Sequence, residues 1–449
     1  MKRKSPWQLR VYRALTRLAQ PAAGLILSHR LKRGKEDPVR LGERKGRAGL
    51  KRPAGPLVWV HGASVGETVS MTPIVERLLA SGYHLLVTSG TVTSARVMAE
   101  RLPAAAMHQF IPLDTPGFMR RFLRHWRPQV GLIAESELWP NMIIEAGKAD
   151  VPLMLLNGRM SERSYARWLK QPAMARALLS RFDVVMAQSQ LDGERYARLG
   201  APRIALGGNL KYDVMPPPAN PAILALLEGV TAGRPIWIAA STHPGEDEMI
   251  IDAHRRVAER LPRLLTIIAP RHPQRGAQIE SMARGQGVSS GCRSAGLSPD
   301  RAIDIYVADT VGELGLFYRM APVAFLGGSL VPHGGQNPIE PAKLGAAIIH
   351  GPHVHNFTDV YASLDQAQGA VKVPDTGALA GQVLHWLSHA QAARAAGRQA
   401  MQVVTELAGA ADKVMHALDP LLARANLARV REETMRHADI HGKQDHEGP

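Results

Sequence analysis

Phe325-Leu-Gly-Gly-Ser-Leu-Val-Pro-His-Gly-Gly-Gln-Asn-Pro-Ile-Glu340 reads as a strand, a loop and the start of a helix. The apolar run Val323 to Leu326 breaks into two glycine pairs, Gly327-Gly328 and Gly334-Gly335, and Asn337-Pro338 then opens a helical pattern. Proline is favoured in a first helical turn, where its missing N–H costs nothing. Glycines let a ligand approach the main chain closely, and a helix N-terminus offers unpaired N–H groups with a partial positive charge. The stretch therefore describes a cradle for an anionic group, with Glu340 placed for a neutral polar moiety such as a ribose. An ordinary strand–loop–helix connection rich in turn residues would have the same composition, so both readings stay open locally.

Outward from this stretch the strand–helix alternation repeats. Apolar runs at Leu57–Val60, Leu85–Thr88, Val130–Ala134, Leu153–Leu156, Val184–Ala187 and Ile204–Leu206 alternate with helical patterns such as Glu67–Ala80, Thr91–Arg101 and Pro140–Ala149. Met215-Pro-Pro-Pro218 is a stiff, extended linker. A second series follows at Ile236–Ala240, Leu264–Ala269, Ile303–Val307, Val323–Leu326 and Ala347–His350. Such repeats imply parallel sheets with helices on both faces. The expected architecture is α/β, with two Rossmann-like domains facing a cleft: a basic segment at 1–50, a first domain at 51–214, a second at 215–421 and a polar tail at 422–449. Ligands in such sheets bind beyond the carboxyl ends of the strands.

The chain has 449 residues, 45% of them apolar, enough for two full cores. A single cysteine, Cys292, excludes an intramolecular disulfide and a cysteine-built zinc site. The net charge of +16 suggests an anionic partner: nucleic acid, an anionic membrane face or a phosphorylated substrate. Aromatic residues make up 5%, with no stacking motif, so nucleic acid is the weakest of the three. Trp7, Val11, Leu15, Leu18, Ala22 and Leu25 recur at helical spacing, with Arg10, Arg13 and Arg17 on the other face. No run reaches the roughly 20 apolar residues that span a bilayer. The segment is expected to lie as an amphipathic helix on an anionic membrane surface, against the alternative of a helix packed on its own domain.

Chemistry-bearing motifs fall at the strand ends. His61-Gly-Ala-Ser-Val-Gly-Glu67 places a carboxylate at a loop–helix junction, where it can act as a general base or simply cap the helix. In Ala134-Glu-Ser-Glu-Leu-Trp-Pro-Asn141, Glu135 and Glu137 are expected to point to opposite sides, with Glu135 nearest the strand end. Gly207-Gly-Asn-Leu-Lys-Tyr-Asp213 offers Lys211 to a phosphate or carboxylate, or leaves it solvated. In the second half, Arg271 of Ala269-Pro-Arg-His-Pro-Gln-Arg275 can bind such groups bidentately. Asp309-Thr-Val-Gly-Glu-Leu314 opens a further helix. His243, His272, His333, His353 and His355 lie on separate loops without metal-ligand spacing, and no metal is expected.

In this order the motifs HGASVGE, AESELWPN, LNGRMSERS, GNLKYD, ASTHPGE, PRHPQR, DTVGELG, FLGGSLVPHGGQNPIEP and GPHVHNF, spanning residues 61–357, resemble those of the 3-deoxy-D-manno-oct-2-ulosonic acid (Kdo) transferases. The resemblance implies a GT-B glycosyltransferase that moves Kdo from CMP-Kdo to the lipid A precursor lipid IVA at the cytoplasmic face of the inner membrane. It implies Glu67 as the general base, and Glu135 and Lys211 as groups that stabilise the transition state. It implies Pro270, Arg271, Gly312, Glu313, Leu314, Asn337, Pro338, Ile339 and Glu340 as the CMP site, with no metal or other cofactor. A nucleotide-sugar epimerase or hydrolase with similar sheets, and a basic nucleic-acid binder, are the competing readings.

Overall fold

In the computed structural model the described residues run from 6 to 444, with side chains described through 427. The chain divides into two units, residues 1–214 with 408–449, and residues 215–407.

The first unit is built on seven parallel strands: β1 (Leu57–His61), β2 (His84–Ser89), β3 (Ala106–Phe110), β4 (Val130–Ala134), β5 (Leu153–Gly158), β6 (Phe182–Ala187) and β7 (Ile204–Leu206). They lie in the order β3-β2-β1-β4-β5-β6-β7. β1 is buried along its whole length, as a central parallel strand covered on both faces must be. Fully burying a side chain such as Trp59 contributes roughly 1.5–3 kcal/mol. One face is covered by helices that include Pro116–Trp126 and Pro140–Lys148. The other is covered partly by the carboxy-terminal helix Ala410–Gln444, whose Ala411, Val414, Leu418 and Leu421 join Val58, Val60 and Leu85 in one apolar cluster.

The second domain, expected to run to 421, therefore gives up its last stretch to the first unit. The segment read as a polar tail from 422 is helical to 444. Its apolar residues recur at helical spacing, and the hydrophobic sheet face they cover lies far away in sequence. The single helix expected over 67–80 is two, Val65–Ser70 and Thr72–Ala80, which meet at Met71 just before Pro73.

The amino-terminal helix Trp7–Ala19 packs on the first unit through Leu9, Tyr12 and Arg13. Tyr12 donates to Asp114 at 2.9 Å, and Arg13 pairs with the buried Glu145 at 2.5 Å. The apolar stripe points outward: Trp7, Val11, Leu15 and Leu18 are 46–76% exposed. The helix thus meets its domain through Leu9 and part of its polar side, and leaves the stripe of Trp7, Val11, Leu15 and Leu18 uncovered by the described residues of its unit.

The second unit repeats the plan with β8 (Ile236–Thr242), β9 (Leu265–Pro270), β10 (Ser290–Cys292), β11 (Ile305–Val307), β12 (Val323–Leu326), β13 (Ala347–His350) and β14 (Ala370–Lys372). All are parallel, in the order β10-β11-β9-β8-β12-β13-β14. The loops after β8, β9 and β12 are therefore neighbours at one end of the sheet.

Candidate active site

Glu67 sits at the carboxyl end of β1, where Ser64 caps the short helix Val65–Ser70. The Ala63 N–H donates to Glu67 Oε2 at 2.8 Å, and the Ser64 hydroxyl donates to Oε1 at 2.7 Å. The capping role is real, yet each carboxylate oxygen keeps a lone pair for a substrate. Gly62 makes the approach possible: a Cβ there would lie 2.9 Å from Thr68 N and 3.1 Å from the Glu67 backbone. Burial raises the Glu67 carboxyl above its ordinary range, with its hydrogen bonds opposing and Glu135 adding repulsion. His61, in the same motif, is buried and neutral, its pKa lowered to about 4 chiefly by desolvation, with Nδ1 3.0 Å from Thr88 Oγ1. It supports the strand end.

Glu135 follows β4 in the left-handed region, φ 50°. Its N–H donates to Leu156 O at 2.8 Å, and its carbonyl accepts from the buried Tyr196 hydroxyl at 3.2 Å. A non-glycine residue persists there only when its surroundings hold it. Lys211 reaches its carboxylate at 3.1 Å. The lysine loop is set by Asn157, whose Oδ1 accepts from Leu210 N at 3.0 Å, and by Asn209, whose Oδ1 accepts from Lys211 N at 3.1 Å.

The expectation that Glu137 faces away does not hold. Residues two apart share a side of an extended strand, so alternation gives no ground for separating the pair; the chain turns left-handed at Glu135, and Glu67 and Glu135 both act on Glu137 electrostatically. Burial raises the Glu137 carboxyl to about 7. Three carboxylates and one lysine thus share the end of this sheet. A raised carboxyl keeps its proton in the folded state after the unfolded chain has lost it, so stability falls as pH rises from the ordinary 4.5 towards 7. Glu137→Gln is expected to match wild type in Tm below that window and to exceed it increasingly through it. Parallel Tm–pH curves for the two proteins would show that Glu137 titrates normally.

In the second unit Pro270 ends β9, and the Arg271 N–H donates to Thr242 O at 3.0 Å, tying the loop after β9 to the end of β8. Gly312, at φ 87°, turns the chain into the helix Leu314–Met320. Glu313 at that helix start pairs with Arg293 at 2.8 Å, which holds its carboxyl below the ordinary range. Asn337 Oδ1 accepts from Ile339 N at 3.1 Å, Pro338 stands at the N-cap position without a side-chain hydrogen bond, and Ile339 is buried. The helix that Asn337-Pro338 opens is short, Ile339–Lys343, with Pro341 inside it and Gly345 at φ 74° just beyond. Its dipole is correspondingly small, and the cradle rests more on the glycine backbone.

A Cβ on Gly327 would lie 2.5 Å from Ser241 O, and Gly328, Gly334 and Gly335 have φ of 67°, 93° and 74°. Glu246, fully buried, accepts from the N–H groups of His243 (2.9 Å), Gly328 (2.7 Å), Ser329 (3.1 Å) and Leu330 (3.0 Å). It pins the glycine loop to the loop after β8. The histidines also gather: His243 stacks on His333 at 4.3 Å between centroids and lies 6.3 Å from His272. Burial first, then the neighbouring histidines, Arg271 and Arg275, lower His243 to about 4, so it stands neutral beside Gln336 at 3.0 Å. Sequence spacing gave no sign of this grouping, because strand order alone brings the three loops together.

Two all-parallel Rossmann-type sheets, each with its motifs at the strand carboxyl ends, define the GT-B architecture. A glycosyltransferase from Rickettsia africae shares the fold, with a TM-score of 0.53 at 12% identity, over 85% of this chain and 99% of that one. The family model described as 3-deoxy-D-manno-octulosonic-acid transferase (kdotransferase) matches residues 39–214. The 3-deoxy-D-manno-octulosonic acid transferase of Haemophilus influenzae is 35% identical, over 86% of this chain and 92% of its own length. That of Bordetella pertussis is 38% identical, over 84% and 91%. The chain belongs to the 3-deoxy-D-manno-octulosonic acid transferase family.

Proposed function

We propose that this Kdo transferase takes Kdo from CMP-Kdo and transfers it, with inversion, to lipid IVA (tetraacyldisaccharide 1,4'-bisphosphate). The observation that carries the reading is the Glu67 carboxylate, raised by burial and set beside the Glu135–Lys211 ion pair. Glu67 takes the proton of the acceptor hydroxyl as its oxygen bonds to the anomeric carbon, and the bond from that carbon to the CMP phosphate breaks with its electron pair on CMP. Lys211 partners the Kdo carboxylate, and Glu135 orients the lysine. In the second unit Arg271 and the backbone around Gly312–Leu314 and Asn337–Ile339 hold the departing CMP, while Glu340 takes the ribose. Fixed donors of this kind stabilise developing negative charge without reorganising, and the reading invokes no metal.

The acceptor's acyl chains suit a protein seated on a membrane. No helix among the described residues is long and apolar enough to cross one. The exposed stripe of the amino-terminal helix supports peripheral seating at an anionic surface, here the cytoplasmic face of the inner membrane. The direct test is mass analysis of lipid IVA after incubation with CMP-Kdo and the protein. The expected result is a product heavier by one or more Kdo units. Unchanged lipid IVA with free Kdo released would point to a hydrolase and sink the proposal.

A further inference from the structure

A cavity of about 460 Å³ opens in the first unit between the carboxyl ends of the helices Pro116–Trp126 and Pro140–Lys148. Arg120, Arg124, Arg127 and Lys148 line it, over a floor that includes Leu123 and Val151. Pro128 lies just before β4 and Val151 just before β5. The cavity is therefore at the amino ends of the strands, the opposite end of the sheet from Glu67 and Glu135.

The charges here do not balance. Glu145, also in the lining, is paired with Arg13 at 2.5 Å, Lys148 at 3.1 Å and Arg120 at 3.3 Å. Arg124 and Arg127 belong to none of these pairs. Cations at helix carboxyl ends offset the helix dipole, but each helix end carries only about half a negative charge. Two helix ends and one carboxylate, itself shared with Arg13, leave about half the charge of the four lining cations uncompensated around a single concavity.

The backbone adds a second observation. Arg127 ends its helix in the left-handed region, φ 41° and ψ 58°, where glycine is the usual choice. Pro128 follows, and a residue before proline is pushed towards extended conformations. An arginine is thus kept where a glycine would relieve strain, and strain of this sort gathers at functional positions.

We propose that this cavity binds a phosphate ester, supplied by the headgroup of an anionic phospholipid when the amino-terminal helix lies on a bilayer. Arg13 links the two features, because it reaches from that helix to Glu145. The phosphates of an acceptor being modified at Glu67 belong to the other end of the sheet. The lipid source rests on the membrane reading above; the phosphate site does not.

The test uses the full chain, an Arg124→Gln/Arg127→Gly variant and a Leu15→Ser/Leu18→Ser variant. Each is mixed with phosphatidylcholine vesicles, with vesicles that also contain phosphatidylglycerol, and with glycerol 1-phosphate in solution. The arginine variant is expected to bind phosphatidylglycerol vesicles weaker by on the order of tenfold or more. Its Tm should be no lower than that of wild type, which separates lost binding from lost folding. Glycerol 1-phosphate should raise the Tm of wild type and of the leucine variant, and leave that of the arginine variant unchanged. The leucine variant should lose both kinds of vesicle. Equal binding of wild type and arginine variant to phosphatidylglycerol vesicles overturns the proposal. If wild type binds no vesicle, the membrane reading and the lipid source fail together. A glycerol phosphate shift confined to proteins with both arginines then leaves a free-phosphate site, and no shift in wild type removes that as well.

Discussion

Glu67→Gln is expected to lower kcat for Kdo transfer by about 10²–10⁴-fold, the usual contribution of a positioned general base. CMP affinity and Tm should stay near wild type. Glutamine has nearly the same shape, and its Oε1 can still accept from the Ala63 N–H. The Ser64 hydroxyl can turn from donor to acceptor, so it remains satisfied beside an amide nitrogen. The capping function of Glu67 therefore survives while its ability to take a proton does not. Alanine would remove both and blur the two roles. Steady-state kinetics with CMP-Kdo and lipid IVA, read beside CMP binding, separates the outcomes. A KM rise with kcat unchanged would make Glu67 a binding group, and near-normal turnover would leave it a helix cap.

The sequence made the sheets legible because parallel strands buried on both faces are continuous apolar runs. Val130–Ala134, Ile204–Leu206, Val323–Leu326 and Ala347–His350 begin and end where expected. β3 (Ala106–Phe110), β10 (Ser290–Cys292) and β14 (Ala370–Lys372) were not legible. β3 carries His108 and Gln109 at a sheet edge, β10 is Ser-Gly-Cys and β14 ends on a lysine, so none presents an apolar run. The ion pair between Glu135 and Lys211 joins two motifs that were each legible alone. Glu137 was misplaced by a wrong period: residues two apart share a side of a strand, and past the left-handed turn at Glu135 its carboxyl joins those of Glu67 and Glu135. Asn157 and Glu246 escaped for another reason. Their work is to hold backbone N–H groups, and those partners are visible only once the chain is folded.

Glu246 carries the largest stability effect expected. Its two oxygens are fully buried acceptors for four backbone N–H groups, and the glycine loop has no side chains with which to pack in their place. Leaving a buried donor unpaired costs about 1–3 kcal/mol; the Gly328 and Ser329 N–H groups are buried and those of His243 and Leu330 part-buried, so Glu246→Ala is expected to destabilise the second unit by roughly 2–6 kcal/mol. Glu246→Gln should be nearly as severe, since one acceptor oxygen becomes an amide NH₂ facing N–H donors. A glutamine variant as stable as wild type would mean that no ionised carboxylate is needed there. Because two units need not unfold together, a single Tm would mix their responses. Hydrogen exchange at the amides of His243, Gly328, Ser329 and Leu330 reads the local event directly. Those amides should lose protection in both variants while β12, immediately before the loop, keeps most of its own. CMP binding should fall with that protection, because the loop from Gly327 to Gln336 carries the chain into Asn337–Glu340. Intact exchange protection in the alanine variant would assign the anchoring of the loop to Gly327 and its contact with β8, and not to the carboxylate.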